Sequence, residues 1–405
     1  MAGSALRVEV LRSLQACQFL RRDWDEIMER QCSDISQLDL TSSFDWAMTL
    51  WAIHLQGREQ EVLVLRSGNE IVGILPLYGM RRNIRRVSCR GLAPLTELYG
   101  GRSGFLLRSP QIEYLNALFA CAERSPNGWD TFLVTVVEGS AHEKLLLGLA
   151  RKKGWHSLLL AREESPYISF HENWESHFAS LPKKLRSTMR NGEKRLRERG
   201  ELAYRECRLE EEVREFNAAV DAIERDSWKA ATGTSIASNP VHEAFHRMLA
   251  LRATEKGWFS GHLLLLNAEP VAYVMGLLHQ GVFLDLKESY RASFREMSPG
   301  HVLKSFAFAR LYERGTRLYD FMGKCEEYKM KWTDRTYRRS SYLFFNRTLR
   351  GKLAWLLSQF GSSRAADMRR GKGPDIGGDQ TGPDAGGIEA SKRANSDGGA
   401  ARAEK

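Results

Sequence analysis

A chain of 405 residues with 42% hydrophobic content is long enough for two domains of ordinary size, each with its own core. Its 60 Lys and Arg against 50 Asp and Glu leave a net charge of +10, which favours an anionic partner: a phosphorylated cofactor, a nucleic acid or an acidic membrane face. The six cysteines form no C-x-x-C pair, and a protein of this size needs no disulfide staples, so a reducing compartment fits best.

Residues 1–30 scatter Arg7, Glu9, Arg12, Arg21, Arg22 and Asp23 among apolar residues, unlike a signal peptide, and the expected location is the cytoplasm. Val62 to Leu77, VLVLRSGNEIVGILPL, reads strand, polar turn, strand. Ser109-Pro110 opens a helical pattern, SPQIEYLNALFACAE, and Gly128 then leads into a short apolar strand, GWDTFLV. The basic stretch from Lys183 to Arg199 sets Leu185, Met189 and Leu196 at helical spacing, one thin apolar stripe among cations. That cationic face is read either as a solvated helix surface or as a contact for phosphates.

The order then recurs. His262 to Leu278, HLLLLNAEPVAYVMGLL, is again strand, turn, strand. The most apolar stretches of the chain, such as His262 to Leu286, are broken by Asn267, Glu269, Pro270 and Gln280, so no membrane-spanning helix is expected. FLDLKESY (Phe283 to Tyr290) reads as a further strand, SPGHVLKSFAFARLYE from Ser298 as a helix, and GTRLYDFMG from Gly315 as glycine and strand. Two copies of one α/β unit account for this order. The expected divisions are residues 1–165, residues 166–348, a short amphipathic helix over 349–360, and a disordered tail over 361–405 that is poor in large apolar residues. In the short helix Leu349, Leu353, Trp355, Leu356, Leu357 and Phe360 accompany Arg347, Arg350 and Lys352. Packing against the core is the expectation there, with a peripheral contact on an anionic membrane as the alternative.

Ser298 suits a helix N-cap, Pro299 the first helical position, and Gly300 leaves the backbone N–H groups uncovered, so this helix start is suited to a phosphate. Gln111 stands where the first half would need the glycine, which places the donor site in the second half, at Ser298, Pro299, Gly300, His301, Val302 and Lys304. The layout of strand, hairpin, strand, phosphate-cradling helix and strand resembles the GNAT acyltransferase superfamily. Ser298 to Trp332, with Tyr319-Asp320-Phe321, Gly323 and Tyr328-Lys329, resembles its paired-domain branch, which includes Fem-type aminoacyltransferases and acetyltransferase-like proteins of exopolysaccharide loci. The likeness runs from about Leu181 to Phe345, and it departs from the better known donor loop with its longer run of alternating glycines.

This resemblance implies two tandem α/β (α+β) GNAT-like domains, each a mixed, mostly antiparallel sheet flanked by helices. It also implies acyl transfer from acyl-CoA, without a metal, to an amine or hydroxyl of a sugar or cell-envelope precursor. RNA enters as a partner only in an aminoacyl-tRNA-dependent alternative, and a catalytically silent scaffold is the further alternative. Acyl transfer needs a proton acceptor for the nucleophile and a proton donor for the leaving group. Asp285, Glu288, Glu224 and Tyr328 are the candidates, with Trp228, Lys229, Asp320 and Lys329 as acceptor-binding residues. One rival signal is His242-Glu243-Ala244-Phe245-His246, an H-E-x-x-H pattern whose expected third ligand is missing downstream, where Leu249 and Arg252 stand. The chain carries no G-x-S-x-G elbow, Walker loop or G-x-G-x-x-G.

Overall fold

The computed structural model describes residues 5–30, 39–55, 59–99, 102, 104–125, 128–170, 173–227 and 236–360. The expected disordered tail lies outside them. The first half runs β1 (Leu6–Leu11), α1 (Leu14–Cys17), α2 (Arg21–Arg30), α3 (Phe44–His54), β2 (Gln60–Ser67), β3 (Glu70–Ile84), β4 (Val87–Pro94), β5 (Leu106–Leu107), α4 (Ile112–Arg124), β6 (Thr131–Val137), α5 (Ala141–Lys153) and β7 (His156–Ser169). Then follow α6 (Trp174–Ser180), α7 (Lys183–Arg197), β8 (Leu202–Cys207), α8 (Glu210–Arg225), α9 (Pro240–Glu255), β9 (Phe259–Leu266), β10 (Glu269–His279) and β11 (Val282–Tyr290). The chain closes with α10 (Pro299–Glu313), β12 (Leu318–Asp320), α11 (Glu327–Met330), β13 (Thr336–Phe345) and α12 (Leu349–Ser358).

Both strand–turn–strand repeats are antiparallel hairpins, β2–β3 and β9–β10. The second turns on Asn267 and Ala268, whose φ angles of 51° and 64° are the left-handed pair that a tight two-residue hairpin requires. Each half also holds one parallel pair, β4–β6 or β11–β12, and a parallel pair needs a crossover, which α4 and α10 supply. All other pairings among the described strands are antiparallel.

The halves share one sheet, in the order β1-β2-β3-β4-β6-β13-β7-β12-β11-β10-β9-β8, with β5 beside β3. Strand β13, from the far end of the chain, returns to lie between β6 and β7. Strand β7 pairs with β13 from His156 to Pro166 and passes Tyr167 to Ser169 on to β12, so the seam expected after residue 165 falls inside a strand.

Helices also join the halves. One core holds Trp24, Phe44 and Trp46 of α2 and α3 together with Phe216 of α8 and Phe245 of α9. The Trp46 and Phe245 rings meet edge-on at 5.4 Å, and Lys256 reaches both Asp25 (2.5 Å) and Asp45 (2.7 Å). Deeper in the seam, Arg102 pairs with Asp320 at 2.7 Å, their side chains 2% and 0% exposed. Asp320 also accepts from the Met322 N–H at 2.7 Å, so this carboxylate, expected to bind acceptor, is a sealed strut between the halves.

Helix α12 packs against the core by one flank, where Trp355 stacks on His156 at 4.8 Å and meets Phe345 at 5.6 Å, and leaves the other flank open. Thr348 caps it by accepting from the Gly351 N–H at 3.0 Å and donates to Asp130 at 2.7 Å, which fixes the helix to the end of the sheet. It buries Gly351, Ala354 and Ser358, while Leu349, Leu353, Leu356 and Phe360 stay exposed. A side chain on Gly351 would overlap the Asn346 carbonyl, so the backbone sits too close for a large residue on the buried face.

Removing one member of a buried pair leaves the other charge unsolvated. Arg102→Met is therefore expected to lower unfolding free energy by ~3–5 kcal/mol in denaturant titrations, with Arg102→Met/Asp320→Asn recovering most of it. A single-variant loss below ~1 kcal/mol would show that water reaches the pair.

Candidate functional site

Strands β11 and β12 stay paired only over Val282–Leu284 against Leu318–Asp320. β11 then runs on to Tyr290, whereas the chain beyond Asp320 turns away through Met322 and Gly323, with φ angles of 51° and 61°. Side chains from β11, α10 and β12 fill the wedge this opens.

Simple alternation along β11 would put Asp285 and Glu288 on opposite faces. The register against β10 slips between them, Asp285 lying opposite Gly276 and Lys287 opposite Met275, so Leu286 is the extra residue of a bulge. Both carboxylates consequently reach Lys304 of α10, Glu288 at 2.8 Å and Asp285 at 3.6 Å. Gly276 is required beside the bulge, because an added Cβ would overlap the Phe283 ring and lie 2.6 Å from the Leu284 carbonyl oxygen.

The Lys304 ammonium is buried and sits 4.6 Å from the centre of the Phe321 ring, which adds a cation–π contact to its two carboxylates. Tyr319 donates to Asp285 at 2.7 Å. Burial, reinforced by the Glu288 charge, raises the Asp285 pKa to about 6, against the pull of Lys304 and Tyr319. Burial and the same carboxylates hold the Tyr319 and Tyr328 phenols well above their usual value. Lys329, expected to bind acceptor, is buried: it donates to the Met322 carbonyl at 3.1 Å and pairs with Glu326 at 2.8 Å. Of the two β11 carboxylates, Glu288 is the accessible one, its side chain 18% exposed against 4% for Asp285.

The start of α10 adjoins a groove of about 620 Å³ whose lining includes Lys183, Lys184, Asn191, Arg195, Glu296 and Ser298. Helix α7 forms its wall, anchored as expected by Leu185, Met189 and Leu196, and also by Gly192. A Cβ on Gly192 would overlap the Met297 carbonyl oxygen and lie 2.9 Å from Val302, so only glycine lets α7 press against the chain entering α10.

Pro299 takes the first helical position as expected. Ser298, however, is left-handed (φ 49°, ψ 49°), and its side chain makes no cap bond. Its carbonyl instead accepts from the N–H groups of His301 (3.0 Å) and Val302 (3.2 Å). Gly300 is half-buried and an added Cβ there would meet only the Tyr290 ring, at 3.5 Å, so space remains over its backbone.

The six residues expected to hold a donor therefore divide. Ser298 lines the groove and Gly300 adjoins it. Pro299 and Val302 are buried packing residues, and Lys304 turns inward to the carboxylates rather than outward to a phosphate. His301 stacks near Trp332 at 5.9 Å, and burial lowers its pKa to about 4, so it is a neutral wall at ordinary pH.

Among the other expected site residues, Asp285, Glu288 and Tyr328 converge on Lys304. Glu224 does not join them. It is buried against α8's face of the sheet, accepting from Tyr273 at 2.5 Å and from Ser227 at 3.3 Å. Trp228 and Lys229 lie outside the described residues. Sequence reasoning overlooked Gly192, Gly276 and Arg102, and it quoted Tyr319 only as part of a motif.

The H-E-x-x-H pair occupies a different place. His246 bonds through Nδ1 to the His242 carbonyl at 2.7 Å, burial depresses its pKa to about 3, and its ring packs against Phe245 and Tyr99. Glu243 pairs with Arg247 at 2.9 Å. Among the described residues, no group of three or more His, Cys, Asp or Glu is arranged to hold a metal ion.

A duplicated α/β unit with a helix opening on a basic groove, beside a wedge of acids and phenols, defines a transferase of the acyl-transfer class. Residues 183–330 match the family described as Acetyltransferase (GNAT) domain, a span from α7 to the end of α11 that contains the groove, wedge and crossover. Residues 183–330 are accordingly a GNAT-type acyltransferase domain. The chain's fold is also that of FemX, at TM-score 0.56 and 14% identity over 86% of this chain and 99% of the other. A conserved protein of unknown function from Bacteroides thetaiotaomicron shares the fold as well, at TM-score 0.54 and 12% identity over 83% and 99% of the two chains. No curated protein sequence matches the chain.

Two outcomes follow from this packing. By helix propensity alone Gly192→Ala would gain about 1 kcal/mol, but overlap with a backbone carbonyl outweighs that, and a net loss of ~1–3 kcal/mol in denaturant unfolding is expected. A gain would refute the close contact between α7 and α10.

The second concerns pH. The folded-state pKa of Asp285, about 6, lies above the 3.8 of an unperturbed aspartate, so between those values the folded protein binds the extra proton. Its contribution to stability then falls as pH rises, by on the order of 1.4 kcal/mol per pH unit. The stability difference between wild type and Asp285→Asn should decline from pH 4 to pH 6, roughly the interval between the two pKa values, in urea titrations. A flat or rising difference would show that Asp285 is not held protonated.

Proposed function

We propose that the chain transfers an acyl group from acyl-CoA to an amine or hydroxyl of a sugar or cell-envelope precursor, and that its second half does the chemistry. The observation that carries this reading is the start of α10, where Ser298 lines the basic groove and Gly300, two residues on, leaves space over its backbone. Lys183, Lys184 and Arg195 suit the donor's phosphates, and the α10 N-terminus adds the Gly300 N–H, the donor of its first turn that the Ser298 carbonyl does not occupy, and the positive end of its dipole. The acceptor nitrogen or oxygen attacks the thioester carbonyl, its proton passes to Glu288, and the C–S bond breaks to release the coenzyme thiolate. Asp285, Tyr319 and Lys304 hold Glu288 in place and set the local charge, and Tyr328 stands as the proton donor to the departing sulfur.

The first half supports a division of labour. Its corresponding wedge between β4 and β6 is stoppered by Glu97, which is half-buried, accepts from the Thr135 hydroxyl at 3.0 Å, and has its pKa raised by desolvation to about 7. With Gln111 at the equivalent helix start, this half forms a wall rather than a second donor site.

An aminoacyl-tRNA donor is the second reading, favoured by the likeness to FemX and by the cations along α7. Isothermal titration calorimetry separates the two. Saturable binding of acetyl-CoA or a longer acyl-CoA, abolished by Gly300→Trp, is the expected result. Binding of aminoacyl-tRNA with steep salt dependence, and none of any acyl-CoA, would replace the proposal with the second reading.

A further inference from the structure

Helix α12 is amphipathic in the inverted sense. Gly351, Ala354 and Ser358 face the protein, with Trp355 packed beside them on His156 and Phe345, while three leucines face out: Leu349 is 87% exposed, Leu353 47% and Leu356 54%, and Phe360, just past the helix, is 65% exposed. Spacings of four and three place Leu349, Leu353 and Leu356 within about 60° of one another around the helix, and Phe360 follows two residues past its end. Arg350 and Lys352 are exposed on opposite sides of that stripe, and Asn346 to Phe360 contains no acidic residue. Arg347 is exposed just before the helix, next to Gly154, where α5 ends in the exposed Arg151 and Lys152. The helix is also fixed in this orientation by the Thr348–Asp130 bond and by the close approach at Gly351, so the stripe does not rotate inward.

We propose that α12 is a membrane-docking helix, its Leu349–Phe360 stripe entering the interface of an anionic lipid surface while the flanking cations meet lipid phosphates. Residues 361–405 offer only Met368, Ile376 and Ile388 as large apolar side chains, too few to cover the stripe. In sequence they begin with Arg364, Arg369, Arg370 and Lys372, further cations close after the helix along the chain. A second copy of the chain is disfavoured by size: four side chains on and just past one short helix fall far below the roughly 800 Å² per partner of a stable interface. The cations on each side would also face their own copies across a two-fold axis. Lipid phosphate satisfies both the stripe and its flanks.

The test is co-sedimentation of the full chain with phosphatidylcholine vesicles, either pure or with about 30% phosphatidylglycerol, at low and high salt. Wild type should pellet with the anionic vesicles, weakly or not at all with neutral ones, and less at high salt. Leu353→Glu/Leu356→Glu should reduce the bound fraction roughly tenfold while the thermal midpoint stays unchanged, because both side chains already face water. Arg350→Glu/Lys352→Glu, which leaves the stripe intact, should also lose anionic-vesicle binding, so the inference survives if the first variant misfolds. No pelleting of wild type, equal pelleting with neutral vesicles, or retention by the charge-reversal variant would overturn it. So would a dimer in light scattering that Leu353→Glu/Leu356→Glu splits, which would make the face an interface between copies.

Discussion

A single buried ammonium organises the catalytic half. Lys304 lies between two carboxylates and an aromatic ring, and the carboxylates would be costly to bury without it. The lysine belongs to the crossover helix, and the carboxylates belong to the strand that the helix leaves. Their contact therefore fixes the height of α10 over the wedge, and with it the position of the Gly300 backbone at the end of the groove. The ammonium orders the site without being available to a ligand, since it is saturated by Glu288, Asp285 and Phe321. In the proposed reading, charge for a phosphate comes from elsewhere, from Lys183, Lys184 and Arg195 on a separate helix. The contact at Gly192 keeps that helix close enough to serve.

The same unit, used twice, shows how one topology can be opened or shut. Parallel strands that diverge after two or three pairings leave a gap in either half. In the second half, charged groups in mutual balance fill it, with one carboxylate reaching the surface. In the first half, Glu97 fills it from the loop after β4, its carboxyl bonded to Thr135 and its pKa lifted by burial. A stoppered wedge is rigid and well suited to carry β13 and the Arg102 strut. The shared sheet follows: β13 crosses back to complete the stoppered half, and β7 reaches forward to edge the open one.

Much of this was legible in the sequence. The hairpins, both crossover helices and the order of elements rest on apolar periodicity, polar turns and Ser-Pro starts, which are local signals. Asp285 and Glu288 were legible as a pair of acids before a helix, but their convergence was not. Alternation separates residues of opposite parity, and only the slip at Leu286, permitted by Gly276, brings them together. Lys304 was read as a phosphate ligand because it follows the glycine; whether it points to the groove or to the sheet depends on helix phase against β11, which no local pattern states. Asp320 and Arg102 are 218 positions apart, and nothing near either residue announces the other.

The last helix shows how a correct pattern can support only part of an inference about burial. Its apolar stripe is real, and amphipathic helices ordinarily turn such a stripe inward. Here the other face decides. Gly351 must lie against the carbonyl of Asn346, and Thr348 is tied to Asp130, so backbone contacts settle which side meets the protein before the leucines can compete. An Ala at position 351 would force the helix off the sheet and free it to roll, whereas glycine holds it down with its leucines facing water. Stability gained by burying the stripe is thereby forgone, which marks this face as shaped for contact with something outside the fold.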